Sequence, residues 1–278
     1  MINKVKVQTS ASPIPIIRDE LYVLGGTVEH EGFISWVPAD ADGSEPLNAY
    51  VFVDGDHGLV IDTSLPVMGE TIVTQLKTLG LKRLTIVMTR PPEFDSIGNA
   101  ETLVRNFEVD RVYSELMFPA DEWVQFRSDE ELPKFEPGVY RKNTDVDFVE
   151  GRTFNVIDAR LKLLACAWLF DEKTGTLFTS DAFTHVLSRE PGEQTVTEAF
   201  DVTRQEDVTR HLGTKYEWLK GSYTEPLRKF LKEVFSTYDV QTIAPITGCA
   251  IIGRELVAGH VAMMDEALQQ LAEQESQA

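Results

Sequence analysis

A strand-sized apolar run, Leu84 to Met88, empties directly into the segment Thr89-Arg90-Pro91-Pro92-Glu93-Phe94-Asp95-Ser96-Ile97-Gly98, and a helix-forming stretch follows at once. Polar groups at the end of a buried strand serve chemistry or close a helix N-terminus, so this junction constrains the chain more than any other. Glu93 and Asp95 stand two residues apart in it, and no histidine does. Adjacent Pro91 and Pro92 fix two φ angles and remove two amide donors, which stiffens the loop. Upstream, Asn48 to Thr63 reads as two apolar strands around an Asp-Gly-Asp-His-Gly turn. Met68 to Leu79 has helical spacing.

The same reading places early strands at Glu20 to Leu24 and Phe33 to Val37, and a loop at Ala39 to Pro46. A helix is expected from Gly98 to Phe107, and amphipathic helices over Thr224 to Tyr238 and Arg254 to Gln274. Pro226 falls in the first turn of the former, where proline is tolerated. Pro119 to Val139, rich in aromatic residues and proline, reads as an irregular insertion: a lid over a cavity, or an arm packed down by its aromatics. A chain of 278 residues has length for one two-layered core, so residues 1–278 are read as a single domain with flexible ends at about 1–12 and 274–278.

Four short motifs, each at a strand end and in the same order, resemble the metallo-β-lactamase superfamily, and within it the stand-alone and flavodiiron domains that bind or reduce oxygen and nitric oxide. The family loop His-x-Glu-x-Asp-His-x-Gly corresponds to Pro91 through Gly98, with Glu93, Asp95 and Gly98 retained and Pro91 and Ser96 at the histidine positions. Thr176 to Phe183 resembles the strand ending in Ser-x-Asp-Ala-Phe, which puts Asp181 at the carboxylate bridging two metals. Lys162, or Leu163 if the register is off by one, takes the next histidine position, and Thr247, in Ile243 to Gly248, the last. The resemblance implies a four-layer αββα sandwich and a homodimer. It also implies that Pro91, Glu93, Asp95, Ser96, Lys162, Asp181 and Thr247 are the positions of a former dinuclear metal site.

Imidazole nitrogens are needed at several of those positions, and this chain supplies none there. Of His30, His57, His185, His211 and His260, only His185, four residues after Asp181, is expected near the site; His57 and His260 read as surface residues. The expected cofactor is therefore none. Clustered acids without a metal need other cations, since unpaired buried charge costs several kcal/mol. Lys162 is the expected replacement, with Arg90, pairing with Asp181 and with Glu93 or Asp95. The plainer alternative leaves Arg90 in solvent and the acids capping the helix near Ile97.

A formal net charge of −19 argues against sequence-independent nucleic-acid binding and against anionic membranes. No apolar run is long enough to span a bilayer, no signal peptide is recognisable, and no flavodoxin-like or rubredoxin-like segment follows. Two distant cysteines, Cys166 and Cys249, rule out a disulfide framework and fit a cytoplasmic protein. Three function classes remain. The favoured one is a catalytically lapsed binding, sensing or assembly protein, with a pocket for a small polar ligand. The second is a hydrolase or diiron-type oxidoreductase with a rearranged carboxylate-rich site, using Glu93, Asp95, Asp181 and His185 with Fe, Mn or Zn. The third is metal-free catalysis by Lys162, Cys166 or Cys249.

Overall fold

The computed structural model describes residues 6–29, 36–91, 93–125 and 129–274. Two mixed sheets stack face to face. The eight-stranded sheet runs Val7–Thr9, Leu21–Glu29, Ser44–Asp54, His57–Ile61, Arg83–Val87, Glu108–Glu115 and Glu136–Tyr140, with Ile14–Ile17 added beside Leu21–Glu29. The seven-stranded sheet runs Thr195–Thr197, Ala250–Ile252, Thr242–Pro245, Thr176–Ser180, Ala167–Asp171, Arg152–Asp158 and Thr144–Val149. The strands Arg83–Val87 and Thr242–Pro245 pair in parallel with His57–Ile61 and Thr176–Ser180, and parallel strands covered on both faces read as continuous apolar runs.

Helices close both outer faces. Gly69–Thr78 and Ala100–Asn106 pack on the first sheet through Met68, Ile72, Leu76, Leu103 and Val104. Gln205–Lys215, Glu225–Thr237 and Arg254–Glu273 cover the second. Between the sheets lies an aromatic layer in which Tyr50, Phe52, Phe154 and Phe178 meet edge to face or tilted. The result is the αββα order expected from the sequence.

One end of the sandwich is stitched by polar bonds instead. Fully buried Asn48 lies in hydrogen-bond reach of the carbonyls of Pro245 at 2.9 Å and Gly248 at 2.7 Å. Gln194 donates to Asn48 Oδ1 at 2.8 Å and to the Leu24 carbonyl at 2.9 Å. A buried amide is tolerable only when satisfied in this way.

Several boundaries differ from expectation. The strand read as beginning at Asn48 begins at Ser44, taking in part of the expected Ala39–Pro46 loop, because residues 44–47 pair with Leu21–Glu29. Most of the expected Phe33–Val37 strand lies outside the described residues, and Trp36 and Val37 are in turn and bend. The expected insertion ends in the strand Glu136–Tyr140, paired in parallel with Glu108–Glu115, so that part is sheet edge and no lid. Pro92 and Phe126 lie outside the described residues.

Candidate functional site

Four strands deliver polar groups to one end of the sandwich, all from their C-terminal ends. Asp62 follows His57–Ile61, Arg90 follows Arg83–Val87, Asp181 follows Thr176–Ser180, and Thr247 follows Thr242–Pro245. The backbone bends sharply there: Asp62, Ser64, Ser180 and Phe183 have φ of 56°, 61°, 53° and 60°. Left-handed conformations at non-glycine residues cost about 1–3 kcal/mol each and persist only where the surroundings impose them.

Arg90 is 5% exposed and lies at the centre of this end. Its Nη1 is ion-paired with Asp95, and its Nη2 lies 3.7 Å from Asp181 Oδ2. Burial works against the guanidinium charge, yet Asp95 and Asp181 together hold its pKa above the ordinary value. Asp181 is fully buried; its Oδ2 accepts the Leu163 amide at 3.0 Å, and its Oδ1 lies 3.6 Å from the Cys166 thiol. Burial pushes that thiol up, and Asp181 adds to the shift, so Cys166 is held protonated. Burial likewise raises Asp95, with Arg90 and Lys215 pulling the other way.

Lys215 is a second cation here. It ends the helix Gln205–Lys215, part of its stem reaches solvent, and its Nζ donates to Thr184 Oγ1 at 3.0 Å. Burial lowers its pKa, while the charges of Asp181, Glu45 and Asp95 oppose that. Glu45 is fully buried, and burial pushes its carboxyl up to about 7 against the Thr247 hydroxyl, Lys215 and Trp36. Among the described residues, Arg90 Nε, Asp95 Oδ1 and Ser180 Oγ around this end lack a hydrogen-bond partner.

The loop positions separate clearly. Ser96 is fixed through its hydroxyl to Asp62 and accepts the Arg90 amide at 3.2 Å. Asp62 also takes the Thr89 amide at 2.8 Å and the Thr89 hydroxyl at 2.7 Å; burial still pushes its carboxyl up to about 6. Pro91 is buried, whereas Glu93 is half-buried and has no ion pair among the described residues. Gly98 is there for space, since a Cβ would lie 2.4 Å from the Phe94 carbonyl and 2.7 Å from that of Ser64. Gly98→Ala should lose about 1–3 kcal/mol in urea denaturation.

Four expectations need correction. Lys162 does not enter the cluster: its ammonium sits 2.9 Å from Asp158, one helical turn's spacing along a turn at the rim, and Arg90 takes the role assigned to it. The plainer reading of Arg90 also fails, since Arg90 is buried and no side chain caps the short helix Phe94–Ile97. His185 is turned away, with its Nε2 2.9 Å from Nδ1 of His260, which is fully buried and not on the surface.

No protein-family model matches the chain, and none of the curated proteins does. Solved structures do match. The rubredoxin oxygen:oxidoreductase of Desulfovibrio gigas aligns with TM-score 0.66 at 12% identity over 92% of this chain and 61% of its own. The flavodiiron protein of Giardia intestinalis gives 0.61 at 16% identity over 96% and 60%. A structure described as a peroxy diiron species of the chemotaxis sensor ODP gives 0.54 at 16% over 81% and 92%. The fold is that of the flavodiiron core. This chain thus spans about three fifths of the length of the first two proteins.

A flavodiiron-type fold raises the question of a metal pair, and the residues gathered here do not fit one. A guanidinium stands between the two central carboxylates, an ammonium lies beside them, and among the described residues no imidazole is hydrogen-bonded or ion-paired to them. Among the described residues, no group of three or more His, Cys, Asp or Glu side chains is placed to hold a metal ion. Glu45 and Lys215 escaped the sequence reading: one lay in an assumed loop, the other on a helix of weak periodicity. A glutamate preceding the apolar run from Pro46 was the one signal available for the first; the second had none.

Proposed function

We propose that this chain is a metal-free version of the flavodiiron-type domain, acting as a binding, sensing or assembly protein and not reducing oxygen or nitric oxide. The observation that carries this reading is Arg90 between Asp95 and Asp181, a fixed cation where the fold elsewhere gathers ligands around metal. A guanidinium satisfies carboxylates by planar, charge-assisted hydrogen bonds and cannot change valence or open a coordination position. Pro91, Ser96 and Thr247, at the family's histidine positions, have no side chain able to ligate as imidazole does. Fold alone does not assign activity, and the chemotaxis sensor among the structural matches is described as a diiron species, which this residue set does not reproduce. A homodimer, as in the resemblance, completes the proposal.

The test is elemental analysis of protein from cells grown with iron, zinc and manganese, together with Arg90→Ala/Lys215→Ala and Asp181→Ala variants. The wild type should hold well under one metal per chain. Removing both cations frees Glu45, Asp95 and Asp181, so the double variant should gain affinity for Mn²⁺, an ion suited to oxygen ligands. Stoichiometric metal in the wild type, lost in Asp181→Ala, would overturn the proposal in favour of an unconventional metalloenzyme.

A further inference from the structure

The two ends of the sandwich carry different side chains. At the end that holds the charge cluster, large apolar residues stand in the open just past the strands: Val67 after His57–Ile61, Leu116 and Met117 after Glu108–Glu115, and Leu163 and Leu164 after Arg152–Asp158. Their exposure runs from 44% at Leu163 to 76% at Met117. The turns at the opposite end, 18–20, 54–56, 150–151 and 172–175, are charged or small, and among the described residues none of them exposes a large apolar side chain. Apolar residues scattered singly over a surface need no explanation, but a group gathered on one face marks a contact site.

Polar contacts tie the group together. Lys142 lies 3.1 Å from Glu115 and 3.5 Å from Asp158, and Lys162 lies 2.9 Å from the same Asp158. Glu115 precedes Leu116 and Lys162 precedes Leu163, so the apolar pair on the first sheet and the pair on the second lie side by side. The two lysines and two carboxylates also cancel in charge, which matters on a chain of net charge −19. Two such chains repel over most of their surface. They meet at low cost only where charge is balanced and apolar surface is free to be covered.

The remaining charges stand in opposition across this end. Asp121 and Glu122 lie on Ala120–Trp123, which packs through Ala120 into the helical layer outside the first sheet. Arg160 lies over the ring of Phe230 at 5.9 Å, beside the layer outside the second sheet. Among the described residues Arg160 has no carboxylate partner, and Asp121 and Glu122 have no cationic one. A two-fold axis in the plane of this end, running between the sheets, sets the first-sheet side of one copy over the second-sheet side of the other. Each Arg160 then faces Asp121 and Glu122 of the other copy, with the leucine and methionine side chains in the middle.

We propose that this end of the sandwich is a self-complementary surface that binds a second copy of the chain face to face. The proposal names the interface of the homodimer put forward above and rests on that part of the reading, but it does not depend on metal content. An anionic membrane would meet Asp121, Glu122 and the net charge unfavourably.

The experiment is sedimentation velocity on the full chain over a wide range of concentration. The wild type should be a dimer. Leu164→Glu should weaken dimerisation about a hundredfold or more, because the two-fold axis places the substitution in the interface twice. Gln241→Glu adds the same charge at the opposite end and should leave the dimer unchanged. Arg160→Glu should weaken dimerisation about tenfold or more, and adding Asp121→Lys and Glu122→Lys to the same chain should recover most of that loss. Leu164 and Arg160 are exposed, so these variants keep the fold, which circular dichroism checks. A dimer indifferent to Leu164→Glu, or no recovery on the charge swap, would overturn this surface and leave the homodimer standing. A wild type that is monomeric throughout would overturn both. If that monomer pellets with vesicles of phosphatidylcholine and phosphatidylglycerol, the surface belongs to a membrane instead. None of these results touches the metal-free reading, which elemental analysis decides by itself.

Discussion

Arg90→Met should lower the stability of the protein by about 3–5 kcal/mol, measured by urea denaturation at neutral pH, because it strands buried carboxylates without their cation. Methionine fills much of the volume, so a large loss reports charge and not a cavity. Adding Asp95→Asn to the variant should recover part of the loss, and the double-mutant cycle gives the coupling between the two side chains. Lys162→Met is the matched control. Its partner Asp158 is half in solvent, so the change should stay within about 1 kcal/mol. A Lys162 variant that loses more than the Arg90 variant would mean that the cation holding Asp181 has been misassigned.

The second large effect is a dependence on pH carried by Glu45. Burial raises its folded carboxyl from 4.5 to about 7, so the folded state holds a proton that the unfolded state has released. Stability from this group is therefore complete below pH 4.5 and is lost as pH rises through 7. The full swing is roughly 3 kcal/mol by linkage, an upper figure because Lys215 shares the titration. Asp62, raised to about 6, acts in the same direction. Glu45→Gln should flatten the profile: between pH 5 and pH 8 the variant should lose about 2–3 kcal/mol less than the wild type. Parallel profiles for the two proteins would show that Glu45 is ionised in the folded state throughout.

The layers of the fold were legible because parallel strands buried on both faces leave unbroken apolar runs, and because the motif loops recur at strand ends. The site was half legible. Asp95 and Asp181 meet at Arg90, since a strand end fixes the Cα within a narrow range. Side-chain direction is another matter. Lys162 has the right position along the chain, but its backbone presents the Leu163 amide to Asp181 and sends the ammonium to Asp158. Arg90, one residue before the motif, has the reach to fill the centre. His260 could have been placed correctly: it shares the helical spacing of Leu256, Val257, Met264, Leu268 and Leu271, the buried stripe of its helix. Lys215 could not, because a lysine ending a polar helix looks the same whether its amine meets water or a buried acid.

Asn48 and Gln194 have a consequence for how the sandwich moves. Hydrogen bonds join the two sheets beside the charge cluster, ring-to-ring contacts join them in the middle, and at the opposite end Arg152 ties them through its ion pair with Glu20 at 3.0 Å. Apolar faces can slide with little directional penalty, but a hydrogen bond weakens steeply once it is bent. The aromatic layer is therefore pinned at both ends, like a plank nailed at each end, and any slide of one sheet over the other has to bend polar bonds at both.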